Sequence, residues 1–142
     1  MSDPQPDKDS TTALPRKLGI KPEARLALID APHGFTDTLG ELPPGVEIRT
    51  RLRGEFDVIV AFFVAAGQLE RRLPALRSAL DQSGGLWLAW PKRTAGATTD
   101  LGDGIVRELG LAAGLVDNKV CAIDATWSGL RFVYRLADRA RT

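Results

Sequence analysis

The first stretch able to do chemistry is Asp30-Ala31-Pro32-His33-Gly34-Phe35, which sets the single histidine of the chain close behind a carboxylate. An imidazole with an ordinary pKa near ~6.5 exchanges protons readily at neutral pH, so His33 is a candidate general base. A histidine beside Pro32 also serves simply to cap a loop, and that plainer role is the commoner one. The second stretch is Lys92-Arg93 followed by Thr99-Asp100. Two cations ahead of a helix start, where backbone N–H groups are free, suit a phosphate or carboxylate, making Lys92, Arg93 and Thr99 candidate ligand-binding residues. Asp100 at that start would take up the same donors, which favours a solvated basic pair.

Other constellations are absent. One cysteine, Cys121, and one histidine cannot make a disulfide framework or a zinc site, so no metal is expected. Cys121 lies in an apolar run and reads as a buried, inert thiol. Ser128-Gly129 lacks the earlier glycine of a nucleophile elbow. Asp57 and Asp124 read as strand-end or turn residues. Trp127 reads as a plug over the end of a small core rather than an aromatic offered to a partner.

Composition narrows the classes further. Of 142 residues, 44% are hydrophobic and 26% charged, with a net charge of +1, as in ordinary globular proteins. That balance gives no attraction to nucleic acid or to an anionic membrane. No apolar run reaches the ~18 to 20 residues of a spanning helix, and the N-terminus lacks a basic start followed by an apolar core. A cytoplasmic protein is expected, and the Ala, Arg, Leu and Gly bias suits a GC-rich bacterial genome.

Elements must hold the two stretches in place. The central one is Phe56 to Val64, a nearly continuous apolar run that predicts a strand buried on both faces. Residues 1–18 read as a disordered tail, too polar to offset their ordering entropy, with one domain over 19–138 and a short tail over 139–142. Ala24–Ile29 predicts the first strand, and the alternation in Val46–Leu52 a half-exposed strand near the sheet edge. Glu47, Arg49, Arg51 and Arg53 share its outer face, as a solvated edge or as a dock for an acidic partner. A helix from Gly67 carries Leu69, Leu73, Leu76 and Leu80 inward, with a kink or restart at Pro74 and a stop at Ser83-Gly84-Gly85. Leu86–Trp90 is the next strand. A helix capped by Thr99 or Asp100 turns Leu101, Ile105, Val106 and Leu109 inward. Lys119–Ile123 and Leu130–Arg135 form an antiparallel pair. The fold class is therefore α/β: an open, mostly parallel Rossmann-like sheet with an antiparallel C-terminal hairpin and helices on both faces.

From Gly54 onward the order of Phe56-Asp57-Val58-Ile59-Val60, Ser83-Gly84-Gly85-Leu86-Trp87-Leu88, Pro91-Lys92 and Leu109 to Val116 resembles the second half of S-adenosylmethionine-dependent methyltransferases. The first third departs from that pattern. Where the family carries a glycine-rich cofactor loop, this chain has Asp30-Ala31-Pro32-His33-Gly34. Where the family carries an acid for the ribose, it has Thr50-Arg51-Leu52-Arg53. The phrases Trp90-Pro91-Lys92-Arg93, Gly114 to Val120 and Asp124 to Leu130 resemble a small bacterial family known only as a domain of unknown function.

Two readings follow, with enzymatic activity left open. In the first, the chain is a non-catalytic binding domain for a protein or small-molecule partner, with no cofactor. In the second, it is a divergent S-adenosylmethionine-dependent methyltransferase whose cofactor lies against Asp30, His33 and Gly34.

Overall fold

The computed structural model describes residues 13–139. Among them six strands form one sheet: β1 (Arg25–Ile29), β2 (Glu47–Arg49), β3 (Phe56–Phe62), β4 (Leu80–Pro91), β5 (Leu115–Ala122) and β6 (Trp127–Tyr134). Their spatial order is β2-β1-β3-β4-β6-β5. The first four run parallel, and β6 pairs antiparallel with both β4 and β5. The helices are α1 (Leu14–Lys17), α2 (Phe35–Leu39), α3 (Ala66–Ala79) and α4 (Asp103–Ala112). This is the expected mainly parallel α/β sheet ending in an antiparallel pair.

The apolar run forms the central strand over Phe56–Phe62, because alternating side chains on β3 meet a different layer on each face, while Val64, past the end of the strand, is exposed. Ile59, Ala61 and Phe63 join the core under α3 and α4, with Leu69, Leu73, Leu76 and Val106. Val58, Val60 and Phe62 join a second core under α1 and α2, with Leu18, Phe35, Leu39 and Trp87. The first face is roofed by helices of fourteen and ten residues, the second by helices of four and five.

Several elements depart from the sequence expectation. The tail expected over 1–18 falls in two parts: residues 1–12 lie outside the described residues, and Leu14–Lys17 is a helical turn with Leu18 fully buried behind it. Leu18 is fixed because its carbonyl accepts a hydrogen bond from Trp87 Nε1 at 3.0 Å, satisfying an indole N–H that is itself fully buried. Residues 140–142 also lie outside the described residues.

α3 runs as one helix through Pro74, without the restart. Pro74 stands on the exposed side of the helix, where water can satisfy the carbonyl that its ring leaves unbonded. Ser83-Gly84-Gly85 does not stop the helix, since β4 already begins at Leu80. The glycines answer a different demand: a Cβ on Gly84 would come within 2.6 Å of Asp57 O, and one on Gly85 within 2.3 Å of Arg131 Nε.

β2 has only three residues at the sheet edge, and residues 50–55 return the chain from it, past β1, into β3. A parallel crossover commonly needs about a dozen residues and a helix. The return is short because β2 pairs only with the first half of β1, from Arg25 to Ala27.

Candidate functional site

The strand order reverses between β1 and β3: β1 leads through α2 outward to β2, and β3 leads through α3 the other way to β4. Open α/β sheets bind ligands outside the carboxyl ends of the strands at such a switch point. Three loops converge at this end, leaving β1 at Asp30, β3 at Phe63 and β4 at Lys92.

The loop after β1 is shaped by its backbone. Asp30 adopts a left-handed conformation, φ 56°, which a short polar side chain tolerates better than most, and Gly34, φ 84°, starts α2. Asp30 and Gly34 line a hollow of about 370 Å³ together with Leu28, Pro32, Thr36 and Thr50. His33 is exposed and is not among the lining residues, so the expected trio is only partly gathered. Thr50, at the place of the missing acid after β2, faces the same hollow.

Beside that hollow the end of the sheet is closed by rings. Phe35, 2% exposed, meets Phe62 edge-on at 4.9 Å between centroids, and Phe62 meets Trp127 edge-on at 5.0 Å. Such T-shaped contacts place a ring edge on a neighbour's electron-rich face and add to the area they bury. Trp127 thus plugs the core end, as its place in the hairpin suggests. Phe35 and Phe62 each read as ordinary core residues in sequence, and nothing in their spacing announces the stack.

The second hollow, about 810 Å³, lies past the end of β4 and gathers Lys92, Arg93 and Thr99 with Trp90, Asp103 and Ser128. Here a sequence expectation is corrected. Neither Thr99 nor Asp100 caps the helix that follows them: α4 begins at Asp103, and Gly102 at its cap position makes no side-chain hydrogen bond. Asp100 Oδ1 instead accepts the N–H of Ala66, the first residue of α3, at 2.8 Å. Thr99 Oγ1 donates to the Val64 carbonyl at 2.6 Å and accepts from Leu101 N at 3.1 Å. The acid therefore serves α3, the helix after the neighbouring strand, and the loop after β4 is fastened to the loop after β3. Ile105, expected inward, is 42% exposed and lines this hollow.

At the opposite end of the sheet the strongest electrostatic feature is Arg25 with Asp57. Arg25 Nη2 donates to Asp57 Oδ1 at 2.9 Å, while its Nε and backbone N donate to Oδ2 at 3.1 and 2.8 Å. Hydrogen bonding from the guanidinium holds the Asp57 carboxyl below the usual carboxylate range and raises Arg25 above the usual arginine value. Asp57 is thus a structural clamp between β1 and β3. Cys121 is buried. Arg49 meets Glu47 at 3.6 Å on the exposed edge. No helix among the described residues is long and apolar enough to cross a membrane.

Comparison with known proteins places the architecture. No family model and no curated protein sequence matches the chain. Solved structures do match in fold. A ribosomal protein L11 methylase from Lactobacillus delbrueckii subsp. bulgaricus shares 13% identity at a TM-score of 0.57, over 86% of this chain and 75% of that one. DhpI, solved as a complex with SAH, shares 14% at 0.58, over 92% and 86%. A SAM-dependent methyltransferase from Aquifex aeolicus shares 14% at 0.55, over 92% and 98%. At such identities the likeness is one of fold: this chain has the fold of the S-adenosylmethionine-dependent methyltransferases.

Proposed function

We propose that the chain is a non-catalytic binding domain built on a methyltransferase fold. The observation that carries this reading is the switch-point end of the sheet, where buried Phe35 stacks on Phe62 and Phe62 on Trp127. The loop beside them keeps a side chain at every position but Gly34, so backbone cannot approach a cofactor as a glycine loop allows. The ligand-facing cations under this reading are Lys92 and Arg93, in the larger hollow. Thr99 contributes framework there, because its hydroxyl is committed to Val64. The partner is a protein or small molecule, and no cofactor is required. A bacterial, cytoplasmic setting and kinship with the small family of unknown function belong to the same proposal and draw on the phrases and composition given above.

Titration calorimetry with S-adenosylmethionine and with its demethylated product tests the reading. No saturable heat is expected from either, and micromolar binding of either would overturn it.

One observation favours the second reading, a divergent methyltransferase. The hollow beside Asp30, about 370 Å³, exceeds the ~300 Å³ that a small-molecule site needs. Neither Pro32 nor Phe35 fills it. Under that reading Asp30 and Gly34 hold the cofactor, His33 stands at the rim, and Asp30→Ala weakens the calorimetric affinity while Arg49→Gln leaves it unchanged.

A further inference from the structure

A third hollow lies at the amino ends of the parallel strands, on the face covered by the N-terminal segment and remote from the switch point. Its volume is about 330 Å³, and its polar lining is Lys21, Glu23, Asp57, Ser83 and Arg131. Arg131 projects from β6 onto this face because it is out of phase with Leu130 and Phe132, which point to the opposite core. Its guanidinium lies across the backbone of Gly85, where any Cβ would clash. The sequence has thus given up a side chain on β4 to seat this cation.

Among the described residues the Arg131 guanidinium makes no hydrogen bond and no ion pair, although its residue is only partly exposed. The two acids of the hollow do not neutralise it. Both oxygens of Asp57 are engaged by Arg25, and Glu23 forms no ion pair with it. Arg139 adds positive potential nearby, and burial together with that charge pushes the Arg131 guanidinium below the usual arginine value. Arg77 Nε is the sealed, unbonded side-chain nitrogen among the described residues, so the nitrogens of Arg131 keep access to the hollow. A cation partly removed from water and given no counter-charge is costly, and the cost is offset when a ligand brings the charge.

We propose that this hollow is a binding site for a small oxyanion, a phosphate or carboxylate group held by the Arg131 guanidinium with help from Lys21 and Ser83. A guanidinium presents a planar fork of donors that matches two oxygens of such a group, Lys21 supplies a mobile second charge, and the Ser83 hydroxyl can donate a third bond. The site is independent of the switch-point hollows and of whether a methyl-group donor binds there.

The test is nuclear magnetic resonance of the arginine side-chain Nε–H signals, titrating inorganic phosphate and, separately, acetate into the full chain against chloride at equal ionic strength. A saturable shift of the Arg131 signal with either oxyanion, absent with chloride, is expected. Arg131→Met should abolish the response, and Lys21→Gln and Ser83→Ala should each weaken it, Lys21→Gln by roughly tenfold. In chloride alone Arg131→Met should melt no lower than the parent, since it removes an unpaired charge. Should that variant fail to fold, Arg131→Lys keeps the charge but not the fork and should bind roughly tenfold more weakly than the parent. Linear shifts identical to those in chloride, or phosphate and acetate responses unchanged in Arg131→Met or Arg131→Lys, would overturn the site.

Discussion

On one side of the seam between β1 and β3 the sheet continues through β3, β4, β6 and β5, strands of seven to twelve residues roofed on one face by α3 and α4. On the other side it has β1 with five residues and β2 with three, followed by a six-residue return where a crossover helix would ordinarily lie. The longer wing carries the pattern by which the sequence resembles methyltransferases, and the shorter wing carries every departure at the cofactor position. The outer strand of the shorter wing can change its loops at little energetic expense, because Ile48 is the half-buried residue of an otherwise exposed β2, whereas β1 itself is part of the core. The longer wing holds the fold while the shorter one is free to lose or alter a site.

The difference between wings predicts a steep contrast in stability. Trp87→Ala, at a fully buried residue of β4, should cost ~3 to 5 kcal/mol and also free the Leu18 carbonyl. Ile48→Ala in β2, at a half-buried edge position, should cost about 1 kcal/mol or less. Urea denaturation of both variants checks the comparison, and equal losses would erase it. Next in size is Gly110→Ala. Helix propensity alone would favour alanine by ~1 kcal/mol, but a Cβ there would lie 2.1 Å from the Phe132 ring. Overpacking of that kind costs ~1 to 3 kcal/mol, so the propensity gain is cancelled or outweighed and a net loss of up to about 2 kcal/mol is expected, with a thermal midpoint no higher than the parent's.

Asp100→Ala tests the fastening between the two loops of the longer wing. Loss of the bond to Ala66 N–H should cost about 1 kcal/mol, and Asp100→Asn should recover most of it. Faster hydrogen exchange at the Ala66 amide in the alanine variant would locate the loss. The smallest effect concerns the seam itself. Asp57 is held below the ordinary carboxylate pKa of ~3.9, so its stabilisation is complete above that value and fades as pH falls through the depressed one. Both partners are more than a third exposed, which limits the pair to under ~1 kcal/mol. Asp57→Asn should therefore lie slightly below the parent at pH 7, begin to approach it at about pH 4 and meet it once the pH is below the depressed value; a gap that persists in strong acid would separate Asp57 from the acid response.

What the sequence disclosed follows the range of its physical signals. The Phe56 to Val64 run and the C-terminal pair were legible because burial on both faces and a six-residue connection each allow few structures. The turn at Leu14–Lys17 was not, since four residues show no helical period, and only Leu14, Leu18 and Ile20 interrupt a polar stretch. Asp100 carried a correct cap signal but the wrong destination, and Thr99 braces the loop without capping a helix. Cap chemistry is local in sequence only when the helix is its own, and the N–H that Asp100 serves is 34 residues away. The unpaired state of Arg131 was equally hidden, because an alternating arginine on a strand reads as solvent-facing until Gly85 and the N-terminal segment close around it.

The Asp100 clasp also makes the larger hollow a place of thermodynamic linkage. The carboxylate that lines it holds the first turn of α3, so a ligand amine that drew Asp100 Oδ1 to itself would give up that cap and forfeit about 1 kcal/mol of its binding free energy. Reciprocity requires that any second ligand whose binding this cap strengthens should weaken such an amine by the same factor by which the amine weakens it. An anionic ligand seated on Lys92 and Arg93 leaves the clasp untouched. The hollow is thereby biased by sign of charge, through a bond that belongs to the scaffold and not to the binding surface.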